Sequence, residues 1–499
     1  MVTSTRPSPH SRRPSRRPPS EVAPRWTIPG PAYEGERCVI RITPELLDRY
    51  DKPGPRYTSY PTAVEFSDSF EPTDYAERLG AAAKRPDDPL SLYVHLPFCD
   101  ARCSFCGCHV VVTRQRSLAD VYLERVLAEA DLVGRYLGER RTLAQYHWGG
   151  GTPTYYTPDE LAGFHRSVLE RFELAADAEV ALEVDPRVTS VEHLTVLRDL
   201  GFNRVSMGVQ DLDPEVQQLI GRNQTWEQTR DLHLEARRLG FDSINIDLIY
   251  GLPGQTVDSM GTTLERVLEL RSDRLAVYSF AYVPWVKPNQ KRIDPETLPD
   301  RDTKFALLAL VSDGLVSAGY RAIGMDHFAL PDDELSSAFD EGTLSRNFMG
   351  YTTKRGTEMV ALGTSGISDV AGAYAQNHKR LNSYYTAVDA GELPVERGVP
   401  LSPDDRIRRH VITELMCNGV VRPAAVEAEF GIDFESYFAA EVAELTGPGG
   451  AVEEGMVQVG GDAIIASELG RVFIRNLAMV FDVYLATTTA DRPTFSRTV

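Results

Sequence analysis

The chain has 499 residues, 42% of them hydrophobic, and a formal net charge of −19. That is enough apolar text for one large core with an appended domain, and the wrong sign for a protein held to nucleic acid by a broad basic surface. No apolar run approaches the ~20 residues that span a bilayer, and the amino terminus lacks the apolar stretch of a secretory signal. Together these predict a cytoplasmic protein whose six cysteines stay reduced and serve a metal or catalysis rather than a disulfide framework.

Residues 1–36 open with MVTSTRPSPHSRRPSRRPPSEVAPR, rich in Pro, Ser and Arg with almost nothing apolar to bury, which predicts a disordered tail. The pairs Arg12-Arg13 and Arg16-Arg17 precede no hydrophobic run and read as part of that solvated tail. From about residue 90, short β-prone runs alternate with longer stretches of helical period, the pattern of βα units around a parallel sheet. Strands are expected at SLYVHL (91–96), AQYHW (144–148), VALEV (180–184), RVSMGV (204–209), INIDLIY (244–250), RLAVYSF (274–280) and YRAIGM (320–325). Between them lie helices such as 119–138, where Val121, Val126, Ala130 and Val133 fall near one face. Six or seven such repeats suit a barrel, or most of one, better than a sheet with a single nucleotide crevice. After about residue 400 the text becomes helical, with VQVGGDAIIAS (457–467) as a small hairpin.

The unusual residues gather at one end of these strands. Cys99 to Cys108, Gly149-Gly150-Gly151, Glu183 with Asp185, Gln210, Asp247 and Ala281-Tyr282 all lie at or just past a strand's carboxyl end, where a (βα) barrel builds its site. Cys99, Cys103 and Cys106 are spaced C-x3-C-x2-C, and Cys108 follows. Thiolates in one loop suit tetrahedral zinc, with Cys108 or His109 as the fourth ligand, or a [4Fe–4S] cluster held by three cysteines with one iron open. Structural zinc sites usually draw ligand pairs from separate segments, which weighs against zinc. Glycines let backbone approach a ligand closely. Glu183 and Asp247 are carboxylates on apolar strands, where an unpaired charge is costly. They are either partners of buried arginines or acceptors for polar groups of a cofactor. Gln210 and Arg222 carry groups suited to amide and carboxylate recognition.

The C-x3-C-x2-C spacing with Phe105 before its last cysteine, placed after the first barrel strand, resembles the signature of radical S-adenosylmethionine enzymes. Such enzymes bind S-adenosylmethionine at the open iron and cleave it to a 5′-deoxyadenosyl radical, chemistry no side chain supplies. Over nearly the whole chain after the tail, the match is to the oxygen-independent coproporphyrinogen III oxidase family. It is carried by PGPRYTSYPTA (53–63), YVHLPFCDARCSFCGC (93–108), HWGGGTPTYY (147–156), LEVDP (182–186), NRVSMGVQD (203–211), NIDLIYGLPGQT (245–256), GMDHFALPDDEL (324–335), RNFMGYTT (346–353) and FSRTV (495–499).

The resemblance implies an α/β fold: a partial (βα)6-type, TIM-like barrel over 89–400, an N-terminal segment over 37–88 that covers the substrate, and a mainly helical C-terminal domain over 401–499. It implies one [4Fe–4S] cluster on Cys99, Cys103 and Cys106, with Cys108 not a ligand. Two S-adenosylmethionine molecules are expected, the first at Tyr93, Gly150, Glu183 and Ile367, with Tyr93 and Glu183 as the catalytic pair. The second would meet Phe105, Gly151, Thr152, Gln210, Arg222, Asp247 and Ala281. The implied partners are coproporphyrinogen III, an electron donor to the cluster and a terminal electron acceptor, in a monomer with no nucleic acid. Arg56 is the candidate for a substrate propionate, because an acidic protein must place cations locally to hold a tetracarboxylate. Tyr282 stands where the family has histidine, and Trp285 also departs from it. Related haem-binding chaperones share the cluster motif and GGGTP but typically lack YTSYPTA and the cysteine two places after the motif, so this chain reads as an oxidase.

Overall fold

Leu90, Leu92, Val94 and Leu96 are completely buried in a strand whose other face is covered as well, the pattern of a sheet packed on both sides. That strand belongs to a computed structural model that describes residues 26–33, 36–485 and 495–498, with side chains from Ile42 onward. Six strands pair in parallel and in chain order: Leu90–Leu96 (β1), Thr142–Gly150 (β2), Glu173–Val184 (β3), Arg204–Gln210 (β4), Ser243–Tyr250 (β5) and Arg274–Ser279 (β6). They are the six repeats of the expected partial barrel.

Helices Arg116–Leu137, Pro158–Leu169, Val191–Asp199, Trp226–Leu239 and Val257–Leu270 connect these strands. Four begin on a Ser or Thr whose side chain accepts from the backbone three residues on: Thr157, Ser190, Thr225 and Thr256. Such caps satisfy amides a helix start leaves unpaired and are worth about 1 kcal/mol each. Between the sheet and its helices Trp148, fully buried, packs on Phe202 with ring centroids 4.7 Å apart.

The expected seventh strand is not a barrel strand. Arg321–Ile323 (β7) pairs antiparallel with His327–Ala329 (β8), which pairs antiparallel with β6. Only a tight turn separates β7 from β8, and a parallel neighbour needs a crossover of a dozen residues or more. The parallel run is extended instead at its other edge, where Glu358–Leu362 (β9) pairs with β1. Ile367–Val370 (β10), Ala373–Asn377 (β11) and Val395–Pro400 (β12) then add as an antiparallel meander. Among the described residues the sheet runs open in the order β7-β8-β6-β5-β4-β3-β2-β1-β9-β10-β11-β12.

A second core joins parts distant in sequence. Ile42, Leu47, Tyr57 and Tyr60 pack with Phe305 and Tyr351 and with Val411, Leu415, Phe438, Phe473 and Phe481 of the C-terminal helices. The two ends of the chain also pair: Gly54 N–H donates to Ser496 O at 3.0 Å, and Thr498 N–H to Lys52 O at 2.9 Å. Val457–Val459 and Ile464–Ala466 form the expected hairpin, with Val420–Val421 as a third strand. Of the expected disordered tail over 1–36, residues 1–25 lie outside the described residues. Residues 26–33 of that stretch are instead a strand, Trp26–Tyr33, paired antiparallel with Glu36–Ile42, so the boundary expected at residue 36 falls inside a pair of strands. No helix among the described residues is long and apolar enough to cross a membrane.

Candidate active site

The glycine run is a packed joint. Gly151 N–H donates to Leu96 O at 2.8 Å and Thr152 N–H to Phe98 O at 2.9 Å, so the end of β2 is tied to the segment that enters the cysteine loop. A Cβ on Gly149 would stand 2.9 Å from the Glu183 carboxyl carbon, one on Gly150 2.4 Å from the His95 ring, and one on Gly151 2.5 Å from Pro97 backbone. Gly150 also has φ +111°, which a residue with a Cβ rarely adopts. All three positions exclude a side chain, and Gly150 is free to point its N–H at Glu183 Oε2, 3.1 Å away.

Glu183 ends β3 with its carboxylate in the barrel lumen, 45% accessible although protein surrounds it. Burial pushes its pKa up, but His147, the Gly150 N–H and His95 together pull it below the usual value, so it is ionised. Tyr93 and His147 are register partners on β1 and β2, with stacked rings 6.0 Å apart. The Tyr93 hydroxyl and His95 Nδ1 stand 3.1 Å apart, and His95 Nε2 lies 3.0 Å from His109 O. Burial holds His95 down to about 4, hence neutral. Neither histidine was singled out from sequence, although strand alternation places His95 on the face of Tyr93.

Gln210, which ends β4, and Arg222, from the loop that follows, converge over Gly208, beside Asp247 on β5. Gln210 has φ +71°, which turns its amide back over Gly208, and Arg222 Nη2 donates to Gly208 O at 2.5 Å. Gly208 is the register partner of Asp247, whose Oδ1 accepts from Asn245 at 2.8 Å and whose Oδ2 accepts from Ser206 at 3.4 Å. Burial, then the charge of Glu183, raises Asp247 to about 6. Strand β4 therefore separates two carboxylates of different character.

In the cysteine loop, Cys99 Sγ lies 3.6 Å from Thr152 Oγ1, and Cys103 Sγ faces Arg187 Nη2 at 3.7 Å and Arg222 Nη1 at 3.9 Å. A hydrogen bond from the Cys108 thiol, outweighing burial, lowers the Cys106 thiol below its ordinary value. The loop is fastened from the segment after β6, a feature the sequence did not announce. Asn289 Nδ2 faces the carbonyls of Cys103, Ser104 and Cys106 at 3.2, 3.0 and 3.0 Å. Gln290 Nε2 donates to Phe105 O at 3.2 Å and to Ala281 O at 2.9 Å, so one amide joins two residues expected at the second S-adenosylmethionine. Only the polar character of that segment hinted at it.

These residues fit the implied cofactors. Among the described residues no three His, Cys, Asp or Glu gather closely enough to hold one metal ion, whereas a cubane takes each cysteine on a different iron and so spreads them. The loop also leaves beside it an ionised carboxylate, a glycine joint without side chains and a buried guanidinium. Ile367 begins β10 and packs beside Phe66 and Tyr374. It is tied to the site indirectly, because Thr364 N–H donates to Tyr122 OH at 2.9 Å and Tyr122 OH to His95 O at 2.7 Å.

Arg56 lies at the β6 edge, its guanidinium 5.8 Å from the Tyr278 ring centroid and 3.8 Å from Asp326. Arg346, nearly buried, is 3.8 Å from the same carboxylate and donates to Arg56 O at 2.6 Å. Arg475 holds the carbonyls of Gly54 and Pro55. Tyr282 and the exposed Trp285 belong to the segment that carries Asn289 and Gln290.

The chain's similarities agree with this geometry. Residues 93–267 match the Radical SAM superfamily, and residues 401–473 match the HemN C-terminal domain. An oxygen-independent coproporphyrinogen III oxidase of Pseudomonas aeruginosa is 43% identical over 92% of this chain and 99% of its own length. The oxidase of that name from Escherichia coli is 46% identical over 88% of this chain and 95% of its own. A solved structure described as coproporphyrinogen III oxidase (HemN) from Escherichia coli, a radical SAM enzyme, superposes with a TM-score of 0.83 at 44% identity, covering 86% of this chain and 97% of that one. With relatives this similar over nearly their whole length, the chain belongs to the oxygen-independent coproporphyrinogen III oxidase family of radical S-adenosylmethionine enzymes.

Proposed function

We propose that this enzyme removes two carboxyl groups from coproporphyrinogen III without oxygen, turning two propionates into vinyls to give protoporphyrinogen IX, and that it binds two S-adenosylmethionine molecules beside one [4Fe–4S] cluster. The observation that carries this reading is the meeting, at one end of the barrel, of the cysteine loop, the glycine joint and the polar groups of Glu183, Gln210, Arg222 and Asp247. When bound, cluster and S-adenosylmethionine supply a radical that takes hydrogen from an unactivated carbon. For each propionate one hydrogen atom leaves the side chain, carbon dioxide departs and one electron passes to an acceptor, leaving the vinyl. An external one-electron donor to the cluster completes the set of partners.

Cys99, Cys103 and Cys106 are the ligands in this reading. Glu183, held ionised by His147 and Gly150, accepts from the ammonium or hydroxyl groups of the first S-adenosylmethionine, which Tyr93, Gly150 and Ile367 border. Gly151 and Thr152 offer the second molecule a surface without bulk, and Gln210, Arg222 and Asp247 offer it an amide, a guanidinium and an acceptor. Gln290 sets the spacing of Phe105 and Ala281 around it. Arg56 meets a propionate of the substrate: among the described residues its one carboxylate neighbour is 3.8 Å away and shared with Arg346, so its charge is incompletely matched.

The test is anaerobic. The cluster is reconstituted, reductant and S-adenosylmethionine are added, and coproporphyrinogen III is followed by chromatography. Protoporphyrinogen formed together with 5′-deoxyadenosine is the expected result. Stable haem binding without decarboxylation would instead assign the chain to the haem-chaperone activity.

A further inference from the structure

Cys103 differs from Cys99 in what faces its sulfur. Arg187 Nη2 stands 3.7 Å and Arg222 Nη1 3.9 Å from Cys103 Sγ, whereas Cys99 has a threonine hydroxyl at 3.6 Å. Arg187 is not there by chance of rotamer. Its Nε lies 3.0 Å from Asp185 Oδ1 and its Nη2 2.6 Å from Oδ2, a two-pronged grip. Its backbone N–H donates to the same Oδ1 at 3.0 Å, and its Nη1 to Arg222 O at 2.5 Å. Asp185 is 3.4 Å from Arg222 Nη2 as well, and both side chains are more than nine-tenths buried. Two guanidinium groups thus share one carboxylate, leaving a positive charge in excess next to the Cys103 sulfur.

A thiolate bound to iron carries negative charge that grows when the cluster accepts an electron. Donors and positive charge at such a sulfur stabilise the reduced cluster more than the oxidised one and raise the reduction potential. We propose that Arg187, gripped by Asp185, is a positioning residue that raises the reduction potential of the cluster through Cys103, making the cluster easier for an external donor to reduce. This rests on the reading that Cys103 is a cluster ligand. Arg222, given to S-adenosylmethionine above, shares the sulfur, so the assignment is made to Arg187, which that function leaves unused.

The experiment is a redox titration of the reconstituted full chain, without S-adenosylmethionine, following the electron paramagnetic resonance of the reduced cluster, with iron and sulfide contents measured beside it. Arg187→Gln should move the midpoint to lower potential by on the order of tenfold in the reduced-to-oxidised ratio, about 59 mV for a one-electron couple. Arg187→Lys, which keeps the charge, should recover most of that shift. Asp185→Asn, which removes the opposing charge and keeps both arginines, should move the midpoint up. An unchanged midpoint in Arg187→Gln with a full cluster overturns the proposal, as do shifts of the same sign in all three variants, which would report a disturbed loop rather than charge. If Arg187→Gln takes up no cluster, the decision passes to Asp185→Asn: an upward shift upholds the proposal and none overturns it. Cys103→Ala tests the underlying reading separately, because a variant that still holds four irons per chain removes Cys103 from the ligands whatever the potentials show.

Discussion

Replacing Gly150 with alanine distinguishes a packed joint from an ordinary turn. Gly150 has φ +111°, and an added Cβ would stand 2.4 Å from His95 Cε1 and 2.5 Å from Nδ1. A side chain in that part of backbone space costs about 1–3 kcal/mol. Swinging the His95 ring aside gives up its contacts of 3.1 Å with Tyr93 OH and 3.0 Å with His109 O, about 0.5–1.5 kcal/mol apiece. The expected loss is on the order of 2–6 kcal/mol, read as a lower urea midpoint of the cluster-free protein by far-ultraviolet circular dichroism. Gly163, inside helix Pro158–Leu169 with nothing near its added Cβ, is the control. Alanine there should stabilise by roughly 0.5–1 kcal/mol, because a helical glycine gives up more conformational freedom. The first S-adenosylmethionine should also bind Gly150→Ala poorly, since the Gly150 N–H no longer meets Glu183. A Gly150→Ala protein with the midpoint of the unaltered chain would refute the reasoning.

Other outcomes follow from the same site. Alanine at Cys99, Cys103 or Cys106 should abolish cluster assembly, measured as iron content, whereas Cys108→Ala should keep the iron and, in the cluster-free protein, raise the thiol pKa of Cys106 by removing the Cys108 hydrogen bond. Gln290→Ala strips two carbonyls of their donor and should speed cluster loss to a chelator several-fold, with S-adenosylmethionine affinity falling as Phe105 and Ala281 move apart. Asp247 has a pKa of about 6 against an ordinary 3.8, so the folded chain binds its proton more tightly than the unfolded chain. The stability this gives is present below pH ~4 and is lost as pH rises through about 6. Asp247→Asn should therefore gain stability relative to the unaltered chain between pH 4 and pH 7, by on the order of 2 kcal/mol, in paired denaturation curves at the two pH values. Arg56→Ala should raise KM for the tetracarboxylate about tenfold with a smaller change in kcat, and Arg56→Lys should restore part of it.

Much of this site is legible in the sequence because its organisation is local. The run from Tyr93 to Cys106 states a strand and a thiol-bearing loop in fourteen residues, and alternation along β1, β3 and β5 is enough to aim Tyr93, Glu183 and Asp247 inward. The βα rhythm carries the parallel order of β1 to β6 for the same reason, since each strand lies beside the one before it. Only folding decides what depends on pairings between distant segments. YRAIGM has the composition of a barrel strand, but the tight turn after it forces β7 into an antiparallel edge, while β9, far along the chain, takes the free side of β1. Asn289 and Gln290 sit in a polar stretch of no pattern and become fasteners because the chain after β6 returns over the cysteine loop. Arg187 looks like a residue following a strand until Asp185 directs it at Cys103. Periodicity records which way a side chain points along its own element; which groups it then meets is set by packing between elements that the sequence places scores or hundreds of residues apart.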